Sequence, residues 1–249
     1  MDEASKAFGG CAGCREPLGF DISMAFQPIV DIGDRSIIAY EALVRGAAGE
    51  PAGTVFSRLT DETLYGFDQA CRIKAVEMAA TLGLDSFLNI NFMPNAVYEP
   101  RHCIQSTLAA SRRTGFPLQR IVFEVSESER ITRQDRLIEI LREYREFGFR
   151  TAIDDFGAGF AGLSLLANFQ PDIVKIDMEL VRGIDADLTR RTILKGILDI
   201  CGSMDIKIIA EGVETADEMK ALADLGVTQM QGYLFARPGF QTLPAVDWP

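Results

Sequence analysis

The feature that most constrains this chain is an alternation. Eight short apolar runs of strand character, at residues 24–31, 36–45, 86–92, 120–127, 149–155, 171–177, 206–213 and 228–234, are separated for the most part by segments with helical spacing. Strands that alternate with helices imply parallel βαβ units. About eight of them in 249 residues favour a closed α/β barrel over an open doubly wound sheet. Gly33-Asp34 separates the first two runs as a hairpin turn would, so that pair is expected to be antiparallel. Helices are expected at 63–82, stopping before Gly83, and at 188–204. Another opens at Thr132-Arg133-Gln134-Asp135, which resembles a capping box with Asp in place of Glu, and stops at Gly148. A fourth opens with the capping box Thr215-Ala216-Asp217-Glu218 and ends at Gly226. The expected layout is an aperiodic Gly- and Cys-bearing arm at 1–20 and one barrel domain at 21–249.

Composition narrows the function classes. With 47% hydrophobic residues the chain can bury one sizeable core. No apolar run approaches the ~18 residues that span a bilayer, and residues 1–10 lack the pattern of a signal peptide. A cytoplasmic protein without a membrane partner is expected. The net charge of -11 disfavours a nucleic-acid polymer as partner. It does not disfavour a small anion, because bound cations invert the field of clustered acids. The five cysteines, Cys11, Cys14, Cys71, Cys103 and Cys201, are odd in number and scattered, which argues against a disulfide framework. Cys11 and Cys14 form a lone C-x-x-C. Reduced thiols in the arm are expected; metal or redox use would need Cys71, or His102 with Cys103, to fold nearby.

Chemistry gathers where the strands end. In a barrel these ends converge on one mouth. The second run carries Glu41 and the third ends near Asn91; the fourth ends with Glu124 and Glu127, and the fifth with Asp154 and Asp155. The sixth carries Lys175 and Asp177, expected on one strand face, and the seventh leads to Glu211 and Glu214. A single acid at such a place is often a helix cap or a solvated charge. Five strands doing so together is a different matter. Partly buried carboxylates repel one another and are costly to desolvate unless paired, and Lys175 and Arg45 cannot neutralise them all. A donor set of Glu, Asp and Asn without sulfur or imidazole suits hard cations such as Mg²⁺ or Mn²⁺, with enough ligands for two.

These residues resemble those of the EAL-domain cyclic di-GMP phosphodiesterases. The resemblance is carried by Tyr40-Glu41-Ala42-Leu43-Val44-Arg45, and by Phe26-Gln27-Pro28-Ile29-Val30 before it. It continues through Asn89-Ile90-Asn91, Glu124-Val125-Ser126-Glu127 and Asp154-Asp155-Phe156-Gly157-Ala158-Gly159-Phe160. Val174-Lys175-Ile176-Asp177, Ala210-Glu211-Gly212-Val213-Glu214 and Gln231-Gly232-Tyr233-Leu234-Phe235-Ala236-Arg237-Pro238 complete it in order. The resemblance implies a TIM-type (β/α)8 barrel with an antiparallel first strand pair. It implies hydrolysis of cyclic di-GMP to linear pGpG by a metal-activated water, with two Mg²⁺ or Mn²⁺ ions, in a chain that often forms homodimers. By position, Glu41, Asn91, Glu124, Asp154 and Asp155 would be metal ligands. Glu211 would be a water-coordinating group and candidate general base, and Lys175 would contact the water or the scissile phosphate. Gln27, Leu43, Arg45, Asp177, Gln231 and Arg237 would bind substrate. Glu127 would hold the 154–160 loop, and Glu214 would support the site.

Two departures stand out. Ser126 replaces a usual Thr but keeps the hydroxyl, and Ala161-Gly162 replaces a usual Ser pair. Neither removes a proposed ligand. Two other readings remain: a catalytically silent cyclic di-GMP receptor, and a different two-metal phosphoesterase on a similar barrel.

Overall fold

The computed structural model describes residues 18–97, 99–127, 134–159 and 162–249. The arm with Cys11 and Cys14 falls almost wholly outside them, as do Thr132 and Arg133 of the expected capping box, and Phe160 and Ala161. Strands β1 (Ile22–Asp31) and β2 (Ser36–Gly46) form a hairpin, followed by helices α1 (Ala52–Phe56) and α2 (Leu64–Thr81). Next come β3 (Phe87–Asn91), α3 (Pro100–Cys103), α4 (Gln105–Thr114), β4 (Ile121–Ser126), α5 (Gln134–Glu146) and β5 (Arg150–Phe156). The chain continues with α6 (Gly162–Asn168), β6 (Ile173–Ile176), α7 (Met178–Val181), α8 (Leu188–Ser203), β7 (Lys207–Ala210), α9 (Ala216–Asp224), β8 (Gln229–Met230) and β9 (Gly239–Phe240).

Strands β2 to β8 pair in sequence order and in parallel. Strand β1 lies antiparallel to both β2 and β8 and so closes the ring. The expected α/β barrel with an inverted first strand is the one observed. Strand β9 adds to β1 at Ala25 and Phe26 and extends its pairing toward the mouth.

Two structural periods explain the layers. Ile29, Ala39, Val122, Ala152, Ile173 and Ile209 form a separate buried apolar cluster, one residue from each of six strands. Alternate residues share a strand face, so this cluster is the floor of the barrel interior. The outer strand faces, with Leu88, Ile90, Phe123, Ile153, Val174 and Ile176, belong to the larger core shared with the helices. Helix boundaries follow local chemistry. Thr215 accepts from the Glu218 amide and Glu218 reaches back, a complete capping box. Asp187 caps α8 by accepting from the amides of Thr189 and Arg190.

The sequence reading overextends the later strands. The run at 171–177 contributes only Ile173–Ile176, and that at 228–234 only Gln229–Met230. Asp177 is therefore not on the β6 face with Lys175. It lies past the strand end and N-caps α7, where its Oδ1 accepts from the Glu179 amide at 2.8 Å. A polar residue beyond a buried strand finds unsatisfied helix donors nearer than a sheet neighbour.

Where β8 leaves the barrel, Val213 donates its amide to the Gln231 carbonyl and accepts from the Leu234 amide. This packs the Val213 backbone directly over Gly232, and a Cβ there would overlap it. Gly232→Ala is expected to cost about 1–3 kcal/mol, the usual penalty for overpacking. A chemical-denaturation curve checks this, and an unchanged midpoint would refute the close approach.

Candidate active site

The floor sets the site above it. Two residues further along the same faces stand Glu41 after Ala39, Glu124 after Val122, Asp154 after Ala152, Lys175 after Ile173 and Glu211 after Ile209. From the inverted β1 the same step runs backwards, from Ile29 to Gln27.

Lys175 is the hub. It is fully buried, and its Nζ lies 2.6 Å from Glu211, 3.0 Å from Asp154, 3.1 Å from Glu124 and 3.4 Å from Glu41. Around them Asn89 donates to Glu124 Oε1 at 2.6 Å, Asn91 to Glu41 Oε1 at 2.8 Å and Gln231 to Glu41 Oε2 at 2.8 Å. Gln231 also donates to Gln27, which itself donates to the Ala236 carbonyl. One ammonium faces four carboxylates. Burial opposes the charge on Lys175, but the four acids together outweigh it and hold the ammonium well above its usual range. Burial pushes Glu124 up to about 8, with Glu41 and Asp154 adding to the rise and Lys175 opposing it. Burial likewise drives Glu211 well above the glutamate range against the pull of Lys175.

Asp155 reaches this cluster by a break in the strand. Regular alternation would turn it away from Asp154. The β5–β6 register instead shifts between Ile153, paired with Val174, and Phe156, paired with Ile176. Two aspartates thus oppose the single residue Lys175, the pattern of a β-bulge. Asp155 takes φ 54°, in the left-handed region, and Ser126 Oγ donates to its Oδ2 at 2.7 Å. The hydroxyl retained at Ser126 therefore has a partner.

The cluster can hold divalent cations. Glu41, Glu124 and Asp154 offer oxygens within 4.8 Å of one another, and so do Asp154, Asp155 and Glu211. Asp154 is common to both triads. All donors are oxygen, which suits hard divalent cations. Asn91 belongs to the same constellation, though here its amide nitrogen faces Glu41.

The remaining expected residues spread around this centre. A cavity of about 290 Å³ over the cluster is lined by Gln27, Glu41, Asp154, Asp155, Asp177, Glu211, Glu214, Gln231 and, not foreseen from sequence, Met178 and Tyr233. Leu43 and Arg45 line a second, more apolar cavity of about 320 Å³, which shares Asn91 and Ser126 with the site. Arg45 donates to the Val44 carbonyl and is not among the groups around Lys175. Arg237 sits 4.3 Å from the Tyr233 ring centre, a cation–π contact at the edge of the first cavity. Glu127 accepts from the Gly157 amide at 2.7 Å and the Gly162 amide at 2.6 Å, bracketing the loop after β5. Glu214 is paired bidentately with Arg182 near the surface, at 2.8 and 3.2 Å. Asn89 is the one member of the inner set to which the sequence motif assigns no role; its place two residues before Asn91 on the same strand face is the available signal.

Residues 19–238 match the EAL domain family. The chain belongs to this family. It is 35% identical over 226 residues to the blue light- and temperature-regulated antirepressor BluF of Escherichia coli, covering 90% of this chain and 56% of BluF. It is 31% identical over 233 residues to the probable cyclic di-GMP phosphodiesterase PdeI of Escherichia coli, covering 88% of this chain and 29% of PdeI. This EAL chain thus spans little more than half, or less, of those relatives. A standalone versatile EAL protein from Vibrio cholerae, solved in a c-di-GMP bound form, superposes with TM-score 0.90 at 50% identity, covering 93% of this chain and 98% of that one. The manganese/cy-diGMP complex of Klebsiella pneumoniae BlrP1 at pH 6 gives TM-score 0.87 at 34% identity, over 91% and 58% of the two chains. Among the described residues no helix is long and apolar enough to cross a membrane.

The raised carboxyls have a measurable consequence. Glu124 and Glu211 bind protons more tightly folded than unfolded, so ionising them removes stability. Lys175 also binds its proton more tightly folded, but the stability this adds is complete below the ordinary lysine range and constant across that window. In EDTA the melting temperature is expected to fall as pH rises from the ordinary glutamate range through about 8. Glu124→Gln flattens part of the fall and Mn²⁺ reverses it. A fall identical in Glu124→Gln would remove Glu124 as a source.

Proposed function

We propose that this EAL chain is a phosphodiesterase that hydrolyses cyclic di-GMP to linear pGpG, using two divalent cations, Mg²⁺ or Mn²⁺. The observation that carries the proposal is the oxygen set around Lys175, which Asp155 extends through its triad with Asp154 and Glu211 at the β5 bulge. The likeness to PdeI and to cyclic di-GMP complexes supports the choice of substrate.

Glu41, Asn91, Glu124, Asp154 and Asp155 would hold the ions, with Glu211 at the edge of the second triad. When bound, such ions neutralise charge on a phosphodiester and make water more acidic. The chain's own groups then divide the work. Lys175 holds Glu211 and Asp154 in place through its Nζ and presents positive charge where phosphate oxygens gain negative charge. Glu211 accepts the proton of the attacking water; its carboxyl is the one closest to Lys175. Gln27, Gln231 and Asp177 position the ligand in the cavity over the cluster, with Arg237 behind Tyr233. Leu43 and Arg45 take the other half in the adjoining cavity, Arg45 leaving the Val44 carbonyl to clamp a phosphate. Glu127 keeps the loop carrying Asp155 in register, and Glu214 ties the β7 exit to Arg182. A cytoplasmic homodimer belongs to the same reading, and sedimentation analysis tests the dimer.

The competing reading is a silent receptor. The 35% identity to a protein named as an antirepressor is what favours it. The complete ligand set argues against it, since a receptor needs none of the charge cost described above.

Turnover of cyclic di-GMP by the purified chain decides. Linear product with Mg²⁺ or Mn²⁺ that vanishes in EDTA is expected. Glu211→Gln is expected to lower turnover roughly 10²- to 10⁴-fold, the usual range for a lost general base. Glu41→Ala and Asp154→Ala are expected to abolish it. Tight binding without product under any metal condition would establish the receptor reading instead.

A further inference from the structure

Away from the carboxylate cluster, the described residues contain one other deeply buried ion pair. Arg72 and Asp68 sit one turn apart on α2, 2.7 Å apart, and their side chains are 0% and 2% exposed. Three aromatic rings surround the guanidinium: Phe123 at 5.1 Å, Phe92 at 5.3 Å and Tyr144 at 5.5 Å. Arg72 also donates to the Tyr144 hydroxyl at 2.6 Å. The mechanism above uses none of these groups.

Such a pair needs a reason. Buried ion pairs are often no more stabilising than apolar residues of the same volume. The reason lies in what Asp68 holds besides Arg72. Its Oδ1 accepts from the Met93 amide at 2.9 Å. The last sheet bond in this region is made by Phe92, whose amide donates to the Glu124 carbonyl at 3.0 Å. One residue later β3 has left the sheet, and the Asp68 carboxylate supplies the acceptor that a neighbouring strand no longer does. The same pair grips residue 92 as well, through the ring of Phe92 on Arg72. Immediately before these two residues comes Asn91, which donates to Glu41. Asp68, Asn91, Phe92 and Met93 also form one wall of the cavity of about 320 Å³.

We infer that Asp68 and Arg72 are positioning residues: they fix the exit of β3, and so place Asn91 against Glu41 and shape the adjoining wall of the ligand cavity. The inference rests on the proposed metal-dependent function for its link to cation binding, but not for the placement itself. The reach is short, one ion pair to two backbone positions to one ligand. It differs from a stability role because the pair's charges can be removed together without leaving a buried charge unpaired.

The test is the double variant Asp68→Leu/Arg72→Met in the full chain, with Mn²⁺ binding measured by calorimetry and amide exchange measured at Met93. The fold is expected to survive, with the melting temperature in EDTA within a few degrees of the parent. Exchange at Met93 is expected to quicken, and Mn²⁺ affinity to drop roughly 10- to 100-fold, the usual effect of removing a group that orients a ligand. Asn91→Ala added to the double variant is expected to weaken Mn²⁺ binding by much less than it does in the parent, because the two changes act through one residue. Unchanged Met93 exchange, unchanged Mn²⁺ affinity, or losses that simply multiply would each overturn the inference. If the double variant does not fold, Asp68→Asn/Arg72→Met removes both charges while its Asn Oδ1 can still accept from the Met93 amide; Met93 exchange and Mn²⁺ affinity are then expected to move together, and a change in one without the other would overturn the inference. A parent chain that binds no Mn²⁺ would defeat the proposed function; the Met93 exchange would still decide whether the pair places the β3 exit.

Discussion

Everything at the mouth of this barrel depends on one buried ammonium. Lys175 has no exposed surface, and its only described ionic partners are carboxylates from four other strands or strand ends. A lysine in such a place cannot be solvated, so it must be surrounded. The surrounding groups in turn carry more negative charge than one lysine offsets. The centre is therefore stable as an arrangement and incomplete as an electrostatic system. A divalent cation would correct that imbalance, and the proposed function is thereby expressed in the same terms as stability.

The barrel makes this possible by separating two jobs along each strand. The residue at the floor is apolar and fills space. The residue two positions on is polar and belongs to the proposed site. Neither compromises the other, because the outer faces of the same strands pack on the helices and hold the wall rigid. The inverted β1 obeys the same rule with its direction reversed, which is why Gln27 meets Glu41 rather than the floor.

Much of this was legible in the sequence. The eight runs, the hairpin turn and the period-2 spacing gave the barrel, and strand-end acids in apolar surroundings marked the mouth. What escaped had physical causes. The strands β6 to β8 are shorter than their apolar runs, because hydrophobicity continues into loops that pack over the barrel rim; Asp177 went with the loop and became a cap. Helix α4 carries Ser and Thr amid few apolar residues, and its stop at Gly115 with φ 77° is a backbone property without a periodic signal. Tyr233 and Met178 line the cavity through loop placement, which no spacing encodes. The ion pair of Asp68 and Arg72 was hidden for another reason: on a helix, an acid and a base four residues apart ordinarily read as a solvated surface pair.

The bulge in β5 carries a consequence of its own. Two aspartates stand opposite one lysine because the strand holds one residue more than its neighbour needs. Deleting a residue there would let β5 and β6 zip without interruption and would relieve the left-handed backbone at Asp155. The product would be a more regular sheet with a poorer ligand set. Selection for robustness alone would favour that shorter strand, and selection for chemistry would keep the longer one. The extra residue is thus a place where the two pressures on this barrel can be told apart.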